Sequence, residues 1–181
     1  MEKIKGKEVI VGVTASIAIY KACDLVRRLR DVHCNVTVVM THEAQELISP
    51  VVFESLSGNK VYTHMFKQAD AWEVEHVALA DKANLVLIAP ATAHSIAKIA
   101  AGLCDDMLSC IVCATRAKVL FAPAMNDKMF TNKIVQENMK KLKALGYGFI
   151  DPRKGKLACG AVGIGCLADI ETIVKQALSA L

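Results

Sequence analysis

The sequence predicts an α/β protein built on a doubly wound parallel sheet. Two observations carry that expectation. Short, nearly continuous apolar runs, the pattern of strands buried on both faces, alternate along the chain with stretches whose apolar residues recur every three or four positions. Small, hydroxylated or amide-bearing residues then follow several of those runs, at the carboxyl ends where open α/β sheets bind ligands.

Taken in order, Glu8–Val13 reads as the first strand. Ile19, Ala22, Val26 and Leu29 give an amphipathic helix behind it. Asn35–Met40 is a second strand, and Pro50–Ser57 a short helix with proline in its first turn. A third strand falls at 84–89, helical stretches at 92–101 and 106–115, and a fourth strand at 118–121. The helix at 133–145 is expected to bury Val135, Met139, Leu142 and Leu145, with Gly146 ending it. A fifth strand at 147–150 precedes a final helix carrying Ile170, Ile173, Val174, Ala177, Leu178 and Leu181 on one face. Two regions resist the scheme: 59–72, read as a loop, and the glycine-rich stretch 151–166, which lacks periodicity and is expected to form a functional flap. The expected architecture is a single Rossmann-like or flavodoxin-like domain over residues 1–181.

Composition narrows the function. The chain is 54% hydrophobic and 22% charged, yet no apolar run approaches the roughly 18 residues that span a bilayer. The surplus apolar surface is expected at subunit contacts, in a homo-oligomer and not in a membrane. The net charge of +4 is modest, and its one dense basic stretch, Lys140-Lys141-Leu142-Lys143, reads as a solvated helix face. Nothing suggests nucleic acid as a partner. Seven cysteines, an odd and scattered set without a signal-peptide pattern, indicate a reducing, cytoplasmic setting. Cys23, Cys104, Cys110 and Cys113 stand in apolar context. Cys110 and Cys113 have metal-like spacing without a second pair, so core packing is expected and no metal. His33, His42 and His64 are expected at surface or loop positions, and Trp72 in packing.

The first turn, Gly12-Val13-Thr14-Ala15-Ser16-Ile17-Ala18, is neither a dinucleotide fingerprint nor a P-loop. Free backbone N–H groups and small hydroxylated residues there still suit a phosphate, and Ser16 can cap the helix, hold the phosphate or do both. The second strand ends in Val39-Met40-Thr41, with no carboxylate for a dinucleotide's ribose. The small residues of Pro90-Ala91-Thr92-Ala93-His94-Ser95 let a flat ring approach the backbone. The combination suggests flavin mononucleotide (FMN). Asn126, in Pro123-Ala124-Met125-Asn126, can grip a carboxylate without adding charge. His76 supplies an imidazole matched to neutral pH, and Cys159 a thiol on a glycine-rich loop.

Five motifs occur in order over nearly the whole chain: the first turn, Ala89-Pro90-Ala91-Thr92-Ala93, Asp105-Asp106-Met107-Leu108-Ser109, the Asn126 tetrapeptide and Leu157-Ala158-Cys159-Gly160. In these the chain resembles the homo-oligomeric flavin-containing cysteine decarboxylases. The resemblance implies FMN held by its phosphate around Ser16 and Thr41, with Gly12 among the cofactor-binding residues and the ring near Pro90, Ala91, Thr92, Ala93, Ser109 and Ala124. It further implies His76 as active-site histidine, Asn126 as carboxylate holder, and Cys159 as proton donor on a flap. Met125, Ala158 and Gly160 would complete the substrate contacts. The implied substrate is phosphopantothenoylcysteine, the assembly a trimer or multiple of trimers with flavin at subunit contacts, and the upstream partner a separate synthetase. The ligase domain fused behind many relatives is expected to be absent. Two departures stand out: His94 replaces the usual asparagine, and Cys166-Leu167 the usual Arg-Met.

The chemistry explains the set. Direct loss of CO2 from an acylated cysteine leaves an unstabilised carbanion, so an electron acceptor is needed. Transient oxidation of the carbon bearing sulfur to a thioaldehyde lets the carboxylate leave into an enethiolate. Return of the hydride, with a proton from an acid, completes a reaction without net redox. Rival readings are a peptidyl-cysteine decarboxylase, a flavin prenyltransferase and a non-catalytic flavin-binding regulator. The 157–160 loop opposes the first, and Asn126 with Cys159 the second. Retention of His76, Asn126 and Cys159 opposes the third.

Overall fold

The computed structural model describes residues 4–65 and 74–181, so Trp72 lies outside the described residues. Among the described residues, five parallel strands form one sheet: β1 Glu8–Val13, β2 Asn35–Met40, β3 Leu85–Ala91, β4 Lys118–Pro123 and β5 Gly148–Phe149. Their order is β2-β1-β3-β4-β5, so the chain reverses its direction of travel between β1 and β3. Such a switch opens a crevice at the strands' carboxyl ends. The doubly wound expectation holds, and the strand order is the flavodoxin-like one.

Alternation along the strands divides two cores. Val9, Val11, Val36, Val38, Leu85 and Leu87 face helices α1 (Tyr20–Asp31), α3 (Pro50–Ser57) and, at the chain's end, α9 (Ile170–Ala180). Ile10, Val86, Ile88, Val119 and Phe121 face the opposite layer. That layer consists of α4 (Glu75–Lys82), α5 (Ala93–Ala100), α6 (Met107–Ala114) and α8 (Lys133–Ala144). Helix α1 buries Ala22, Leu25, Val26 and Leu29, the three- and four-residue spacing read in the sequence. Each fully buried Leu or Val contributes about 1.5–3 kcal/mol. Gly12 faces the second layer, where a Cβ would meet Leu108 Cδ1 at 2.6 Å, so the glycine lets α6 pack close to the sheet. Two further short helices, α2 (His42–Gln45) and α7 (Asp127–Phe130), follow β2 and β4.

Several expectations are corrected. Leu145 is 65% exposed: α8 ends at Ala144, and the chain turns away through Gly146 at φ 92°. Cys104 and Cys113 are exposed and Cys110 only half-buried. The buried side of α6 is Met107, Leu108, Ile111 and Val112, which leaves the two helical cysteines on the other face. Among the described residues no cluster of three or more Cys, His, Asp or Glu side chains is placed to hold a metal. Residues 59–65 are not wholly loop, because Tyr62 bridges in parallel to Val39 at the outer edge of β2.

The largest correction concerns 151–166. It forms an antiparallel hairpin of β6 (Arg153–Lys156) and β7 (Val162–Cys166). Arg153-Lys154-Gly155-Lys156 has no apolar alternation because neither face of β6 enters the core. Ladder hydrogen bonds and docking hold this hairpin, and neither leaves a periodic signal.

Candidate active site

A cleft of about 850 Å³ opens at the carboxyl ends of β1, β3 and β4, with the β6–β7 hairpin forming one wall. Its floor is tied together by a residue the sequence reading did not single out. Thr14, buried just after β1, donates its hydroxyl to the Pro90 carbonyl at 2.7 Å and accepts the Thr92 N–H at 3.1 Å. That pair of bonds locks the β1 and β3 exits at the switch point. A hydroxyl directly after an apolar strand was the only available signal.

Three hydroxyls around the cleft serve as caps. Ser16 accepts the Ala18 N–H at 3.3 Å at the start of a short 3-10 turn, Ile17–Ile19, that leads into α1. Thr41 accepts the Ala44 N–H at 3.3 Å, starting α2. Thr92 accepts the Ser95 N–H at 3.2 Å, starting α5. All three line the cleft, as do Ala15, Ala93 and Ala124. The small side chains leave room above the sheet edge for a flat ring, beside turns rich in N–H groups. This lining fits a flavin carrying a phosphate.

Asn126 follows β4 and does two things. Its Oδ1 accepts the Lys128 N–H at 2.9 Å, capping α7, while its Nδ2 points to Cys159 Sγ at 3.6 Å. Capping and a site role therefore coexist. Cys159 comes from the hairpin tip, where Gly160 N–H donates to Leu157 O at 2.9 Å and Leu157 N–H to Ala161 O at 2.8 Å. Leu157 is buried and anchors that turn, and Gly160 supports it at φ 86°. Met125 and Ala158 line the cleft with them. Glu43 and Met129 also line it, unmarked by any motif in the sequence, as does Lys156 from the glycine-rich loop.

Other expected residues lie elsewhere in the single chain. Gly12, Pro90 and Ala91 lie within the sheet beneath the cleft and shape its floor, and Gly160 shapes the tip turn. Ser109 is buried in a capping box: it gives its backbone N–H to Asp106 Oδ1 at 2.7 Å, and its hydroxyl contacts Asp106 as well. Asp106 in turn meets Lys98 Nζ at 2.6 Å. Burial alone would raise the Asp106 carboxyl pKa, but hydrogen bonds from Lys98 and Ser109 outweigh it and hold the group below its ordinary value. His76 is the second residue of α4, half-buried, and is not part of this cleft's wall.

A switch-point cleft walled by a docked hairpin, with an amide and a thiol meeting across it, defines an α/β protein that binds a flat anionic cofactor beside a reactive substrate. All of residues 1–181 match the Flavoprotein family model, and the chain belongs to that family; its cofactor is a flavin. Over 172 residues it is 42% identical to a probable phosphopantothenoylcysteine decarboxylase of Streptococcus mutans, covering 94% of this chain and 96% of the relative. Over 174 residues it is 43% identical to the coenzyme A biosynthesis bifunctional protein CoaBC of Bacillus subtilis (strain 168). That match covers 96% of this chain and 43% of the relative, so the chain spans under half the length of the bifunctional protein. A solved PPC decarboxylase mutant complexed with pantothenoylaminoethenethiol superposes with a TM-score of 0.84 at 26% identity, over 95% of this chain and 96% of that one.

Proposed function

We propose that this chain decarboxylates 4′-phosphopantothenoylcysteine to 4′-phosphopantetheine in coenzyme A biosynthesis, with FMN as its flavin. The observation that carries the reading is the Asn126–Cys159 contact of 3.6 Å across the cleft. It supports the reading because an uncharged amide suited to hold a carboxylate lies beside a thiol suited to give a proton, the pair that loss of CO2 followed by protonation requires.

When bound, the flavin supplies reversible hydride acceptance at the carbon bearing sulfur. The rest falls to the chain. Ser16, Thr41 and the N–H groups of their turns hold the phosphate. Strand β2 leaves the sheet through Thr41, not through a carboxylate, which suits a mononucleotide. The Asn126 amide binds the substrate carboxylate without a full charge, so the group is oriented yet free to leave. Cys159 then protonates the carbon left by CO2, on a hairpin whose closure keeps water from the intermediate.

His76 acts at the substrate thiol in an oligomer, a trimer or multiple of trimers, in which a second copy brings the first turn of α4 to the cleft. Its neighbours support this. Val74 and Val77 flank it at 57% and 42% exposure, and Leu103 is 55% exposed at the loop before α6, the helix on which α4 packs. Exposed apolar side chains are what a subunit contact would cover. Residues 1–181 act as one decarboxylase domain in the cytoplasm, on substrate made by a phosphopantothenoylcysteine synthetase.

The direct test is mass spectrometry of 4′-phosphopantothenoylcysteine incubated with the FMN-loaded protein. Loss of CO2 to give 4′-phosphopantetheine is expected. Unchanged substrate on a flavin-loaded, assembled protein would overturn the reading.

A further inference from the structure

The proposed substrate is anionic at both ends. Asn126 meets the carboxylate with a neutral group, so a cation elsewhere would give selection for the phosphate monoester. Among the described residues, three cations line the cleft: Lys21, Arg153 and Lys156. Two of them sit among carboxylates. Arg153 Nε pairs with Asp169 Oδ1 at 3.1 Å. Lys21 also borders a neighbouring depression that it shares with Asp24, Asp169 and Glu171. Lys156 differs. It is exposed and, like Lys21, has no carboxylate within ion-pair distance among the described residues, but unlike Lys21 it does not border the acidic depression. Among the described residues the cleft's carboxylate is Glu43, which belongs to α2 behind β2, at the opposite edge of the sheet from the β4 exit where the hairpin docks.

The backbone of Lys156 is fixed. It ends β6, opposite Val162, and its carbonyl accepts the Cys166 thiol at 3.5 Å. The turn carrying Cys159 begins at the next residue. The ammonium therefore leaves the hairpin at a separate point from the thiol, on the same rigid piece. A four-carbon stem gives it reach along an extended ligand.

We propose that Lys156 binds the terminal phosphate of the acylated cysteine and so selects the phosphorylated substrate over its dephosphorylated form. This rests on the reaction proposed above. Because Lys156 and Cys159 share one hairpin, holding the distal phosphate also holds the proton donor over the reacting carbon. Remote binding energy is thereby used at the chemical step.

The test compares kcat/KM for 4′-phosphopantothenoylcysteine and pantothenoylcysteine in wild type, Lys156→Met and Lys156→Arg. The ratio between the two substrates should fall about tenfold or more in Lys156→Met, the scale of one charge-assisted hydrogen bond. Lys156→Arg should restore most of it, and added salt should shrink the wild-type ratio. An unchanged ratio, or an equal loss on both substrates, would overturn the assignment, since damage to the hairpin affects both alike. A wild type that turns over neither substrate would instead sink the reaction. Binding of 4′-phosphopantetheine against pantetheine, read from the flavin absorbance of the loaded protein, then decides the residue's role. A phosphate preference lost in Lys156→Met supports it, and one retained overturns it.

Discussion

Gly165 lies directly against Met125: the Met125 N–H donates to the Gly165 carbonyl at 3.0 Å, and a Cβ on Gly165 would be driven into the Met125 carbonyl oxygen. Gly165 has a φ of 142°, a conformation open to glycine and strained for other residues. Gly163 repeats the close approach one step along, where a Cβ would meet Asp127 Cβ at 2.6 Å. These glycines seat the hairpin on the chain leaving β4, and that seating brings Cys159 to Asn126.

Gly165→Ala should therefore unseat the hairpin and leave the sheet intact. Backbone strain of about 1–2 kcal/mol adds to the clash, and undocking relieves both. We expect a loss of kcat of about a hundredfold, the consequence of misplacing a catalytic group by roughly an ångström. The unfolding temperature should shift by only a few degrees. A fall in unfolding temperature as large as that of a core truncation, about 2–5 kcal/mol for a leucine cut to alanine, would place the hairpin in the folding core and refute this account.

The two residues that meet across the cleft should fail at different steps. Cys159→Ser keeps the amide and loses the thiol, so oxidation and CO2 loss should proceed and an enethiol should accumulate. Asn126→Asp puts a negative charge against the carboxylate and should stop the reaction before CO2 is lost. Product analysis after a single turnover separates these outcomes. The same accumulated species from both variants would show that the division of labour is wrong.

Helix α6 offers a prediction in pH. The Asp106 carboxyl lies below its ordinary pKa, so its ionised form stabilises the fold. A depressed pKa gives stability that is present above the unfolded value and lost as pH falls through the folded one. Asp106→Asn can still cap α6 but loses the charge facing Lys98. The variant should be less stable than wild type at pH 7 by about 1 kcal/mol, and the gap should close as pH drops below about 4. Denaturant unfolding at the two pH values checks this. A gap independent of pH would assign the effect to packing alone.

How much of this could be read in the sequence depended on what holds each part in place. Strands β1 and β2 run through the core, so their apolar runs matched their actual ends, while α3 was placed by the proline in its first turn. Asn126 and Cys159 were singled out by their place after a strand and in a glycine-rich loop, and by the motifs that contain them, and both line the cleft. The hairpin was not legible, since its strands bury little and are held by backbone hydrogen bonds and glycine contacts. Cys113 misled for the opposite reason. Its apolar neighbours in sequence point into the core, while the helix turns Cys113 itself outward. Thr14 passed unnoticed because one buried hydroxyl has no period.

His76 gives the sharpest test of assembly. It belongs to α4, outside the lining of its own chain's cleft, while Asn126 and Cys159 meet within that cleft. If a second copy supplies the imidazole, each complete site draws on two chains. His76→Ala and Cys159→Ser should each lower turnover by at least about a hundredfold as pure proteins, the scale of one lost acid–base group. Mixed oligomers, formed by co-expressing the two variants, would then contain some sites with His76 from one chain and Cys159 from the other. We expect such mixtures to regain clear activity, with the rest of the sites silent. If His76 and Cys159 instead served one site from one chain, no mixture could hold a complete site. Activity that stayed at the level of the pure variants, in oligomers shown by mass to be mixed, would put His76 back on its own chain.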